Sequence, residues 1–343
     1  MNVPGTPERP LPDLPVVETV DPLRAALRES GRAVLVAPPG AGKTTVIPIA
    51  LLDEPWLEGR RIVMLEPRRL ATRAAARRMA DLLGESVGST VGYQTRDERH
   101  IGAETRIEVV TEGILTRRLQ HDPELPGVGL VIFDEVHERN LATDLGLAFL
   151  TDVAGTIRPD LRILAMSATP DTTGLVTALS EAPIVESHGR MHPVELHWLP
   201  RGRRERIEAA TAEAVLRALR EQDGDVLVFL PGIGEINRTK AALDRSVGPG
   251  VDVYPLAGAL SPAEQDLALA PSPPGRRRVV LSTDIAETSL TVDGVRVVVD
   301  SGLARAPRFD TGTGMSRLTT VTTSRASADQ RSGRAGRVEP GAC

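Results

Sequence analysis

Lys43 and Thr44 close the stretch Ala37-Pro38-Pro39-Gly40-Ala41-Gly42-Lys43-Thr44-Thr45, and residues of these types at this spacing can hold a polyphosphate. Glycines let the backbone pass close to a ligand, and successive amides at a helix start present partial positive charge to an anion. Pro39, Gly40, Ala41, Gly42 and Thr45 would form the cradle. Lys43 would reach the β- and γ-phosphates, and the Thr44 hydroxyl would ligate Mg²⁺. The strict pattern has Gly where this chain has Ala37, so the match rests on Gly42-Lys43-Thr44. The plainer alternative is a strand-to-helix turn with a surface lysine.

A second cluster follows the apolar run Leu130-Val131-Ile132-Phe133, which ends in Asp134-Glu135-Val136-His137-Glu138-Arg139. Two carboxylates at the end of a buried strand are costly unless they meet a cation. Mg²⁺ held by Thr44 and Asp134, with Glu135 beside it, would supply one, and Glu135 would orient and deprotonate an attacking water. A solvated acidic turn is the other reading. The position of His137 next to these carboxylates points to a coupling role. Ser167 and Thr169, in Ser167-Ala168-Thr169-Pro170, are expected to hydrogen-bond to His137 and relay the nucleotide state, although a hinge or cap fits them equally.

Arginines form the third group. Arg68 and Arg69 follow Glu66-Pro67 at a helix start, where they oppose the dipole, which suits contact with a nucleic-acid backbone better than a solvated face. Thr111, in Thr111-Glu112-Gly113-Ile114-Leu115, is explained by capping alone. Near the end stand Gln330-Arg331-Ser332-Gly333-Arg334-Ala335-Gly336-Arg337. Arg334 and Arg337, three apart, would share one helix face and clamp a triphosphate, stabilising transition-state charge. A disordered basic tail is the alternative.

The elements that must position these groups are short apolar runs alternating with helical segments. Strands are expected at 33–37, 61–65, 106–110, 129–133 and 161–166, then at 192–199, 225–230, 251–255, 277–282 and 294–299. Helices are expected near 205–221, 234–244 and 261–269. This alternation implies parallel sheets covered on both faces, whose ligands bind at the carboxyl ends of the strands. Leu230-Pro231-Gly232-Ile233-Gly234 lacks a Lys-Thr pair, so a second phosphate loop is not expected. The 343 residues suggest two domains, 16–185 and 190–343, preceded by a proline-rich segment 1–15 without fixed structure.

Composition is that of a soluble globular protein, with 41% hydrophobic and 25% charged residues. The net charge of −5 gives no global pull toward nucleic acid, so any such contact must be a local patch. The single cysteine, Cys343, excludes an intrachain disulfide and a cysteine metal cluster. No signal pattern or membrane-length apolar run occurs, and a cytoplasmic location is the default expectation.

Together these blocks resemble the DEAH-box branch of superfamily 2 helicases, and within it the bacterial HrpB-type ATP-dependent helicases. Residues 37–45 correspond to motif I, 66–72 to Ia, 111–115 to Ib, Asp134-Glu135-Val136-His137 to II and Ser167-Ala168-Thr169 to III. Val228 to Gly232 corresponds to IV, Ser282 to Val292 to V, and Gln330 to Arg337 to VI. The resemblance implies two tandem RecA-like domains, each a mainly parallel sheet flanked by helices, with ATP and Mg²⁺ between them. It implies that Gln330 helps position the water, that Asp293 lies near the ribose and that Arg78 stacks on the base. It further implies RNA contacts from Thr111, Gly232, Thr283 and Thr288 beside Arg68 and Arg69, and a strand-separating hairpin in 303–323. Aromatics make up only 2% of the chain, so a grip on the sugar-phosphate backbone is expected. Relatives continue past motif VI into accessory domains that close the RNA channel, whereas this sequence stops at Cys343. The expected activity is an RNA-stimulated ATPase and 3′-to-5′ RNA helicase core. The alternatives are a nucleotide-switched RNA-binding ATPase without unwinding and a DNA translocase.

Overall fold

The computed structural model describes residues 11–343 except 190, 191, 201, 203, 204, 288, 289, 291 and 338. The chain folds as two compact units, Met1–Arg190 and Met191–Cys343.

The first unit alternates strands and helices: α1 (Val20–Ser30), β1 (Arg32–Val36), α2 (Lys43–Ala50), β2 (Arg61–Glu66), α3 (Arg69–Leu83), β3 (Val91–Gln94), β4 (Arg99–His100) and β5 (Ile107–Thr111). Then follow α4 (Glu112–His121), β6 (Val128–Phe133), α5 (Leu141–Thr156), β7 (Arg162–Ser167), α6 (Thr173–Ala178) and β8 (Ile184–Glu186). Its sheet runs β4-β3-β5-β2-β6-β7-β1-β8, and every pair but β3–β4 is parallel. Helices cover both faces, which is why β6 is buried at all six positions and reads as an unbroken apolar run. One core cluster joins α1, α2 and α3 to one face, and another joins α4 and α5 to the other. The five strands expected here all form. The edge strands β4 and β8, and β3 next to β4, carry no continuous apolar run and were not anticipated. Leu11 and Leu14, expected in an unstructured segment, pack against the core, and Pro15 opens a 3₁₀ turn.

The second unit comprises β9 (Val194–Glu195), α7 (Ile207–Glu221), β10 (Asp225–Phe229), α8 (Ile233–Leu243), β11 (Val251–Leu256), α9 (Pro262–Leu269), β12 (Arg277–Ser282) and β13 (Val295–Asp300). It continues with β14 (Leu303–Asp310), β15 (Met315–Thr322), α10 (Arg325–Ser332) and β16 (Gly341–Ala342). Its parallel sheet runs β11-β12-β10-β13-β16-β9. The strand expected over 192–199 contracts to two residues, because among the described residues Val194 and Glu195 pair with the short β16 alone. β14 and β15 form a separate antiparallel hairpin carrying exposed Phe309, Met315 and Leu318. No helix among the described residues is long and apolar enough to cross a membrane.

Candidate functional site

The phosphate-loop sequence sits where the strand order predicts, between the carboxyl end of β1 and the start of α2. Gly42 caps α2 with φ 96°, a left-handed conformation, and a Cβ there would lie 2.8 Å from the Leu14 side chain. Both constraints favour glycine. The Ala37 amide bonds to the Ser167 carbonyl at 3.0 Å, so the start of the loop is tied to the end of β7.

β6, two strands from β1 in the sheet, delivers the acidic cluster to the same edge. The Thr44 hydroxyl donates to Asp134 Oδ2 at 2.5 Å, and Lys43 Nζ stands 3.0 Å from Glu135 Oε1. The Glu135 amide donates back to Asp134 Oδ1 at 2.8 Å, and Glu135 has φ 52°, a left-handed conformation that is costly for a non-glycine residue. Lys43, Asp134 and Glu135 are all buried.

A third carboxylate joins them. β2 and β6 are in register with Leu65 opposite Phe133, and the Asp134 amide bonds to the Leu65 carbonyl at 3.1 Å. The next residue of each strand, Glu66 and Asp134, therefore faces the same edge. Glu66 is 0% exposed, and neither oxygen has a hydrogen-bond donor. Burial, reinforced by Asp134 and Glu135, pushes its carboxyl well above the usual range. Two carboxyls in contact can bond only when one carries a proton, which reconciles the lack of a donor with their mutual influence. Burial also raises Asp134, although Lys43 opposes the shift. For Lys43, burial lowers the pKa, but Glu135 and Asp134 outweigh it and leave the ammonium firmly charged. Three carboxyl groups thus surround one ammonium. Among the described residues no three His, Cys, Asp or Glu form a ready-made metal cage. That suits a cation brought in with phosphates and water, and the Thr44 hydroxyl, Asp134 and the surplus negative charge fit Mg²⁺.

The relay differs from expectation. The Ser167 hydroxyl bonds to the Thr169 carbonyl at 2.9 Å and receives the Thr169 amide at 3.1 Å, a local turn that satisfies it. The amide between them, Ala168, donates to His137 Nδ1 at 3.2 Å. Nδ1 is then an acceptor, so its 3.4 Å approach to Glu135 Oε2 is proximity rather than a hydrogen bond. Arg68 pairs with Glu138 at 3.4 Å and Arg69 with Asp97, while Arg78 is exposed on α3. Thr111 occupies the cap position of α4, but its side chain makes no capping bond.

In the second unit α10 ends at Ser332, so Arg334 and Arg337 do not share a helix face as expected. Turns bring them together instead, and both donate to the Leu290 carbonyl, Arg334 reaching the Glu287 carbonyl as well. Gly336 permits this path, since a Cβ there would meet the His192 carbonyl at 2.5 Å. Gln330 is half-buried on α10. Arg331, to which no role was assigned, is buried and bonds to Glu287, Asp300, the Leu303 carbonyl and Thr323. Burial of Arg331 and Arg334, with Arg337 partly covered, excludes a disordered basic tail. Thr283 accepts a local bond from the Ile285 amide, and Gly232 caps α8 beside the Arg305 guanidinium. Asp293 lies at the amino end of β13, its carbonyl held by Arg278, so the length of the strands separates it from Thr283 at the carboxyl end of β12. Thr288 lies outside the described residues.

Two sequence families match these units: the DEAD/DEAH box helicase domain over residues 22–176 and the helicase conserved C-terminal domain over 209–339. Two tandem RecA-like P-loop domains carrying this motif set define a helicase core, and the chain belongs to the DEAD/DEAH-box helicase family. Among its relatives, the ATP-dependent RNA helicase HrpB of Escherichia coli (strain K12) is 51% identical over 328 residues, covering 96% of this chain and 40% of that protein. A crystal structure of the E. coli DEAH/RHA helicase HrpB superposes with a TM-score of 0.90 at 51% identity, over 96% of this chain and 42% of that one. A crystal structure of the E. coli DExH-box NTPase HrpB gives a TM-score of 0.81 at 50% identity, over 97% and 41%. The chain spans about two-fifths of the length of these relatives.

Proposed function

We propose that the chain is an ATP-hydrolysing RNA helicase core in which motifs I and II of the first unit hold the nucleotide phosphates. The observation that carries this reading is the Lys43–Glu135 and Thr44–Asp134 pairing at the carboxyl edge of one parallel sheet. Lys43 would exchange Glu135 for the β- and γ-phosphates, which frees the Glu135 carboxylate to orient a water and take its proton. Thr44 and Asp134 would hold Mg²⁺, which when bound neutralises charge on the phosphates. The left-handed backbone of Glu135 fixes where its carboxylate can reach.

Arg334 and Arg337 would stabilise charge on the transferring phosphoryl group, with Gln330 beside the water, in the roles that the family resemblance gives them. RNA would run along its backbone past Arg68, Arg69 and Thr111, as the scarcity of aromatic rings favours. That HrpB is named an ATP-dependent RNA helicase supports RNA as the partner.

The test is ATP hydrolysis by this chain with and without single-stranded RNA, and strand release from a fluorescent duplex with a 3′ overhang. RNA-stimulated hydrolysis that Lys43→Ala abolishes supports the reading. Normal turnover in that variant contradicts it. Stimulation without strand release would make the chain a nucleotide-switched RNA-binding ATPase, and equal or stronger stimulation by matched DNA a translocase.

A further inference from the structure

The basic and hydroxyl groups of Lys43, Thr44 and Arg68 each bond to a carboxylate other than Glu66. Lys43 bonds to Glu135, Thr44 bonds to Asp134, and Arg68, two residues along the chain, pairs with Glu138. Glu66 is left with two buried oxygens, no donor, and a strand register that aims it at the same edge as Asp134. A fully buried carboxyl that receives no donor from a basic or hydroxyl side chain is tolerated only in its protonated form, and a cation arriving beside it lets it ionise. Lys43 offsets one of the three carboxylates, and a divalent cation offsets the other two.

We propose that Glu66 is an outer ligand of the cation at this site, accepting hydrogen bonds from water carried on Mg²⁺ and setting how strongly magnesium supports nucleotide binding. The inference rests on the phosphate-site reading above and adds to it a residue from motif Ia, whose neighbours Arg68 and Arg69 were read as contacts to nucleic acid. Mg²⁺ dehydrates reluctantly and keeps several waters, so a carboxylate one water away from Thr44 and Asp134 is chemically apt. Outer partners of this kind orient the inner ligands, and their loss weakens metal affinity by about tenfold or more. Because Glu66 ends β2 and Asp134 follows β6, the strand ladder sets the spacing of the two carboxylates.

The experiment titrates Mg²⁺ into this chain with a fluorescent ADP and compares wild type with Glu66→Gln. The expected result is a magnesium midpoint raised by about tenfold, with ADP affinity in EDTA unchanged, because the metal-free site holds Glu66 in its neutral form and Gln carries the same charge. Without ligand, Glu66→Gln should melt no lower than wild type, whereas a purely structural glutamate would lower the melting temperature. Glu66→Asp, which keeps the charge and shortens the reach, covers the case in which the neutral variant does not fold, and should shift the midpoint in the same direction by less. An unchanged midpoint in the folded variants overturns the proposal. Wild-type binding that is indifferent to Mg²⁺ would instead overturn the phosphate-site reading on which it rests.

Discussion

Two buried ionic clusters, one in each unit, solve opposite problems. In the second unit the Arg331 guanidinium is matched by Glu287 and Asp300, bonds to the Leu303 carbonyl and Thr323, and lies over the Phe229 ring with its carbon 5.0 Å from the centroid. In the first unit three carboxyl groups share one ammonium, and Glu66 receives no donor from a basic or hydroxyl side chain. A cluster whose carboxylates receive their hydrogen-bond donors from within holds a fold together, here the base of the β14–β15 hairpin, α10 and the motif V segment. One that leaves a buried carboxyl without a donor is shaped for something that arrives from outside. Burial alone separates nothing, since Arg331 and Glu66 are both almost wholly inaccessible.

The comparison can be broken at several points. The largest effect is expected from Arg334→Ala, which should lower ATP turnover by about a thousandfold while nucleotide affinity changes little; steady-state kinetics beside a binding titration checks this, and a fall of less than tenfold would remove Arg334 from the chemistry. Next, Arg331→Ala leaves Glu287 and Asp300 without their cation and should cost about 3–5 kcal/mol of stability in the second unit, read from a denaturant midpoint. A loss below about 1 kcal/mol would mean that the matched cluster is not structural.

A smaller effect concerns pH. The Glu66 carboxyl lies above its ordinary value of 4.5, so the fold binds that proton more tightly than the unfolded chain does. Stability without nucleotide should therefore decline as pH rises above 4.5 toward the raised folded value and then level off, and Glu66→Gln should flatten that slope. Identical slopes in thermal melts across this range would show that Glu66 is not strained. The smallest change is expected at the surface. Arg69 and Asp97 form an exposed pair, so Arg69→Ala should alter stability by less than about 1 kcal/mol while weakening stimulation of the ATPase by RNA, and unchanged stimulation would remove Arg69 from the backbone contact.

Much of this was legible in the sequence. Strand ends carrying Lys43, Asp134 and Ser167 were readable because fully covered parallel strands are apolar throughout and stop abruptly at polar residues. Glu66 follows Ile62-Val63-Met64-Leu65 in the pattern that marks Asp134 after its strand, and that signal was available for it too. What the sequence withheld depends on distant partners. The pairing of β2 with β6 puts two carboxylates together, and the bonds of Arg331 reach residues 8 to 44 positions away. Arg334 and Arg337 converge through a shared carbonyl on another segment, which helical spacing could not reveal. His137 is met by the Ala168 amide rather than by the hydroxyls beside it, because Ser167 and Thr169 satisfy each other locally.

The central claim is that the carboxyl edge of β1 and β6 is a phosphate and cation site. It is tested most directly by a crystal structure of this chain with ADP and Mn²⁺, a stand-in for Mg²⁺ located by its anomalous signal. The account predicts a manganese peak beside the Thr44 hydroxyl and Asp134, with Lys43 moved from Glu135 to the β-phosphate. Density for ADP elsewhere, with the Lys43–Glu135 pair unbroken and no manganese at Thr44, would contradict it.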